Sequence, residues 1–162
     1  MTDIPNIERR RAQGQIVKPI YDELVAEIGE ERAVALIARA VARSVEVEAK
    51  AAREATLAEG ENPMVAFTES FRRTYERRGL EAGLEVEVTR ADDDALDFTV
   101  KRCRFVEVYH ELGLGHLAAT LSCNRDGDFA TAFDPSIELD RPQTIAGGAD
   151  TCLFRYRLRP ED

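Results

Sequence analysis

The chain of 162 residues has no tryptophan, two histidines, three cysteines, and only three lysines beside nineteen arginines. Each scarcity excludes something. With no CxxC or HxxxH pair, a structural zinc site of the usual local spacing is absent, although three Cys and two His distant in sequence can still converge in space. No apolar run approaches the roughly 18 residues that a membrane-spanning helix needs. The charged start, Met1 to Arg11, is followed by no apolar stretch, so no secretion signal is read there. An odd number of cysteines without such a signal predicts free thiols in a reducing cytoplasm. A net charge of −9 argues against nucleic-acid binding, which needs basic patches to neutralise phosphate. No GxSxG, Walker or dinucleotide fingerprint occurs. The scarcity of lysine is read as genome base composition rather than as anion chemistry.

What is present is enough for one domain, residues 1–162, with an ordinary apolar fraction of 44%. Residues 1–80 read as helical and 81–162 as the sheet part. Ile16, Ile20, Leu24 and Ile28 recur at four-residue spacing, with Pro19 marking a start or kink near Ile20. A longer helix follows from about Glu30 to Leu57, its inward stripe rich in alanine, which lets helices approach closely. Asn62 and Pro63 form an N-cap and first helical residue. Met64, Phe67, Phe71 and Tyr75 follow as a core stripe, and Gly79 ends the helix. At Leu84 the period changes to two. Leu84, Val86 and Val88, then Leu96, Phe98 and Val100, alternate with polar residues across an acidic turn, an antiparallel hairpin with one wet face.

A helix is expected from Cys103, a short one over Gly115–Ser122, a turn at Asn124–Gly127, strands at Phe129–Phe133 and near Ser136–Leu139, and a strand at Thr151–Leu158. The fold class is therefore α+β: N-terminal helices packed on a mainly antiparallel sheet interrupted by short helices.

All three cysteines and both histidines lie in the second half of the chain, which places any chemistry there. Cys103 opens a predicted helix, where free amides lower a thiol pKa, and Arg102 and Arg104 flank it. It is a candidate nucleophile; the competing reading is a small core residue at a strand–helix junction. Cys152 points inward with Phe154 and Tyr156. Cys123 is expected just after a helix C-terminus, a poor place for a thiolate, so it needs a partner such as Asp126 or His116. Asp126 precedes Gly127 in a common turn pair. Arg141, Thr144 and the loop ending at Gly148 can hold a small carboxylate.

The ordered set Phe98–Tyr109 with Cys103 and Glu107, Glu111-Leu-Gly113, Cys123-Asn-Arg-Asp126, Phe133–Ile137, Arg141–Gly148 and Cys152-Leu-Phe154 resembles the L-2-amino-thiazoline-4-carboxylic acid hydrolase family. The likeness implies a hydrolase that opens a small cyclic amidine at a C–N or C–S bond to give a carbamoyl-cysteine. It implies Arg141 for the substrate carboxylate, with Thr144, Gly148 and Cys152 beside it. It implies Asp126 or Glu107 for the amidine nitrogens or for activating water, and Cys103 or Cys123 as nucleophile. No histidine belongs clearly to the matching motifs. No cofactor and no resident metal are expected. The partner is a small molecule, not nucleic acid or membrane, and a homo-oligomer is left open.

Two further readings compete. One is a module that binds a small molecule, or a soft metal through the three cysteines, without turnover, similar in architecture to ligand-sensing domains of the vinyl-reductase type. The other is an assembly partner using the Ala-rich helices.

Overall fold

A computed structural model of the chain describes residues 4–77 and 83–159. Three long helices come first: α1 (Asn6–Ile28), α2 (Glu30–Thr56) and α3 (Pro63–Arg77). The hairpin β1 (Leu84–Ala91) and β2 (Ala95–Cys103) runs into the short helix α4 (Arg104–Glu111). A 3-10 turn (Gly115–Leu117) and a π-helical turn (Ala119–Cys123) lead into α5 (Asn124–Phe133), followed by β3 (Ile137–Asp140) and β4 (Cys152–Leu158). The strands form one antiparallel sheet in the order β1-β2-β4-β3. The architecture is α+β, as the periodicity predicts. Among the described residues no helix is long and apolar enough to cross a membrane.

The sheet has one dry face, because its side chains alternate. Leu96, Phe98 and Val100 of β2 stand opposite Tyr156, Phe154 and Cys152 of β4, and all six are buried. With Met64, Ala66 and Phe67 of α3 and Ala130 and Phe133 of α5 they form the larger core. The wet face carries cross-strand ion pairs, Lys101 to Glu87 at 2.7 Å and Arg157 to Asp97. A second core joins α1 and α2 to α4 through Tyr21, Ile37, Phe105, Tyr109 and Leu121. Leu84 and Cys103 pack against both cores and mark the seam between them.

Several local expectations are corrected. Helix α1 starts at Asn6 and runs through Pro19, with Ile16 and Ile20 exposed and Gly14 and Tyr21 buried. The face is set by tertiary contact: a Cβ on Gly14 would lie 2.6 Å from Leu112 Cδ1, so the glycine lets α1 close onto the end of α4. Phe129–Phe133, expected as a strand, is the second half of α5, and the Asn124–Gly127 turn is its first. Cys123 therefore precedes a helix rather than following one. The cap is as expected: Asn62 Oδ1 accepts from the amides of Met64 at 2.7 Å and Val65 at 3.2 Å. The helix end expected at Gly79 lies outside the described residues.

Candidate functional site

A cavity of about 610 Å³ lies between the dry face of the sheet and the N-terminal helices. Cys103 reaches it from the end of β2, Cys123 from the π-helical turn, Asp126 from the first turn of α5, and Cys152 from β4. Four residues spread over fifty positions of sequence thus line one space. The π-helical turn running directly into α5 makes this possible, because it carries Cys123 and Asp126 on one continuous rod toward the seam.

The thiols are not activated. Cys103 does sit at the N-terminus of α4, and the amides of Val106 and Phe105 act on its sulfur in the expected direction. Loss of water outweighs them and pushes the pKa up to about 11. Arg102, expected to add positive potential, is spent on Glu107 at 2.8 Å on the exposed side. Burial, then the carboxylate of Asp126, pushes Cys123 up to about 12. Burial also raises Cys152, whose Sγ accepts from the Ile145 amide at 3.2 Å. All three are neutral thiols near pH 7.

Asp126 is the poised group. Its removal from bulk water raises its pKa to about 6, against the pull of Arg141, Arg10 and Arg125. Its side chain keeps 38% of its surface accessible, and that surface faces the cavity it lines. Arg141 Nη1 donates to Asp126 Oδ2 at 2.7 Å and to the Cys123 carbonyl at 2.6 Å, with its guanidinium carbon 5.4 Å from the Phe154 ring centre. Arg141 therefore fixes Asp126 from behind. It is not among the cavity-lining residues, which leaves it no free edge there for a substrate carboxylate.

Three other expected residues stand apart. Glu107 pairs with Arg102 and does not line the cavity. The Thr144 hydroxyl accepts from the Gly147 amide at 3.0 Å inside its own turn. Gly148 closes that turn in the left-handed region at φ 94° and is exposed. His116 packs on Tyr21, ring centres 5.3 Å apart, rather than meeting Cys123. Among the described residues no group of three or more His, Cys, Asp and Glu is placed to hold a metal ion.

Sequence reasoning missed the helical wall. Arg10 and Gln13 of α1, Glu48 of α2 and Ser70, Phe71 and Thr74 of α3 also line the cavity. Arg125, buried beside Asp126, pairs with Glu48 at 2.8 Å. Nothing in a helical arginine marks it as inward-facing until the neighbouring helix is placed. The available clue was Gly14, one turn beyond Arg10, where close approach is paid for by the absence of a side chain. Phe67, Phe71, Phe98, Phe154 and Tyr156 form the apolar end, with Phe98 and Phe154 stacked at 4.5 Å and Phe67 tilted against Tyr156 at 4.8 Å. The aromatic stripe of α3 is core, as expected, and cavity wall as well.

Comparison with solved structures finds the phenol-responsive sensory domain of the transcription activator PoxR, with phenol. It is 17% identical, with TM-score 0.53, covering 92% of this chain and 74% of that one. This likeness is one of fold. A trafficking protein particle complex subunit 3 from Naegleria fowleri, covalently bound to palmitic acid, is 12% identical with TM-score 0.45, covering 92% of this chain and 96% of that one. No curated protein matches the chain. The model of one family, described as L-2-amino-thiazoline-4-carboxylic acid hydrolase, matches residues 9–156, a span that takes in Arg10 and Asp126 alike. Over nearly its whole length, then, the chain belongs to the L-2-amino-thiazoline-4-carboxylic acid hydrolase family.

Proposed function

We propose that this protein is a hydrolase that opens a small cyclic amidine bearing a carboxylate, with Asp126 as general base. The observation that carries the reading is a carboxylate with a pKa of about 6 lining a cavity inside the family-matched span. A base works best when its pKa lies near the operating pH. At pH 7 Asp126 is mostly ionised, and its conjugate acid is strong enough to return a proton. It takes a proton from water as the oxygen bonds to the amidine carbon. It delivers that proton to the ring nitrogen of the tetrahedral adduct formed from the protonated amidine. It then takes the hydroxyl proton as the C–N bond breaks and the carbonyl forms, and passes it to the departing amine, leaving a carbamoyl group on sulfur. Arg141 keeps the carboxylate oriented throughout. Thiols near pKa 11 and 12 are poor nucleophiles at neutral pH, so attack by water is favoured over attack by Cys103 or Cys123.

The test is incubation with L-2-amino-thiazoline-4-carboxylate in water enriched in oxygen-18, followed by mass spectrometry. Carbamoyl-cysteine carrying one heavy oxygen is expected. Unchanged substrate after prolonged incubation at pH 7 refutes the hydrolase reading.

A second reading is favoured by the aromatic end of the cavity: a module that binds a small apolar molecule without turnover, alike in fold to the phenol-responsive sensory domain of PoxR, whose structure is with phenol. Tight binding of an apolar ligand with no ring opening would establish it. With the hydrolase reading we propose a cytoplasmic protein whose partner is a small molecule and which can self-associate.

A further inference from the structure

In a protein of net charge −9, the cavity concentrates positive charge: Arg9, Arg10, Arg73 and Arg125 line it against the two carboxylates Glu48 and Asp126. Most of these charges answer one another. Asp126 has Arg141, Glu48 has Arg125, and Arg73 has Glu69 at 2.7 Å. Arg10 has none. Its Nη1 donates to the neutral Gln13 side chain at 3.0 Å, its guanidinium lies 5.9 Å from the Phe105 ring centre, and its Nε is buried with no hydrogen-bond partner. Burial, then the neighbouring Arg125, pushes its pKa down from the usual value, and the more distant Glu48 and Asp126 offset this only in part. A desolvated cation whose nearest carboxylates are engaged by other arginines destabilises a fold unless something supplies a contacting partner.

The opposite end supplies the second half of the argument. About 610 Å³ is within the range of sites for drug-sized ligands. A single five-membered ring with its carboxylate leaves most of the aromatic wall uncovered.

We propose that the cavity binds a carboxylate whose anionic end is held by Arg10 and whose apolar, ring-bearing body lies along Phe67, Phe71, Phe98 and Phe154. This deepens the hydrolase reading and rests on it for the amidine group alone. The substrate class becomes a cyclic amidine carboxylate with a hydrophobic substituent. Arg10 takes the role that the sequence had pointed to at Arg141.

The experiment is calorimetric titration of the full chain with 4-phenylbutyrate, with its neutral amide 4-phenylbutyramide, and with acetate, alongside Arg10→Gln and Arg10→Lys. The expected result is that wild type binds the acid about tenfold or more tightly than the amide, and that acetate gives no saturable heat at the same concentrations. Arg10→Gln should bind acid and amide within about threefold of each other, while Arg10→Lys keeps the preference for the acid. Equal binding of acid and amide by wild type overturns the proposal, as does acetate binding as tightly as phenylbutyrate. A persisting acid preference in a folded Arg10→Gln overturns it too. If Arg10→Gln does not fold, the wild-type and Arg10→Lys comparisons still decide. Ring opening of the amino-thiazoline without binding of phenylbutyrate would sink this inference and leave the hydrolase reading intact. Binding without ring opening would do the reverse.

Discussion

On the wall built by α5 and β4, Asp126 is held at 2.7 Å by an arginine that lies behind it, and the Cys152 sulfur already accepts from a backbone amide. On the helical side, Arg10 has a neutral partner and a buried Nε with nothing to donate to. One wall is complete without a ligand and the other is not. That difference separates the group proposed to do chemistry, which must be oriented before substrate arrives, from the group proposed to bind, whose counter-charge arrives with the substrate.

The largest break in this contrast is Asp126→Asn. If the completed wall carries the chemistry, kcat/KM for ring opening falls about 10² to 10⁴-fold. Wild-type activity should also decline below about pH 6, a limb that the variant lacks. The same shift predicts a stability effect. The folded pKa of about 6 lies above the unfolded value near 4, so this group's contribution is full below about pH 4 and is lost as pH rises through 6. Thermal midpoints of wild type and Asp126→Asn measured from pH 4 to 7 should diverge in that sense.

The next effect concerns the aromatic end. Phe98 is buried between Phe71 at 4.9 Å and Phe154 at 4.5 Å. Phe98→Ala should cost about 3 kcal/mol, toward the low end for such truncations because one side of the ring already faces a cavity. Urea denaturation measures it, and a loss below about 1 kcal/mol would mean that the wall is not packed as described.

A smaller effect sharpens the role of Arg141. Arg141→Gln removes a group that holds the Asp126 pKa down, so the acid limb of the activity profile should move to higher pH by about one unit. If Arg141 instead binds the substrate carboxylate, KM rises and the limb stays in place.

The smallest expected signal is at the thiols. With a pKa of about 11, Cys103 should react with iodoacetamide at pH 7 at least about tenfold more slowly than an exposed thiol, and faster as pH rises. Rapid labelling at neutral pH would restore the thiol as a candidate nucleophile.

Sequence by itself determined the hairpin, because alternation over Leu84–Val88 and Leu96–Val100 marks two strands around an acidic turn; it did not determine that Val88, on the edge strand beside a register shift, would be exposed. It determined the start of α3, because Asn62 and Pro63 satisfy a helix N-terminus locally. The family resemblance named eight residues, of which Cys103, Cys123, Asp126 and Cys152 line one cavity and Glu107, Arg141, Thr144 and Gly148 do not. Only the tertiary structure decided which way α1 faces, since its own apolar stripe at Ile16 and Ile20 points to solvent and the close approach at Gly14 turns Arg10 inward. It also decided the state of the thiols. Helix-terminal amides are visible in a sequence, but the water withdrawn from a sulfur depends on what packs over it, and at Cys103 that loss outweighs the local helix effect.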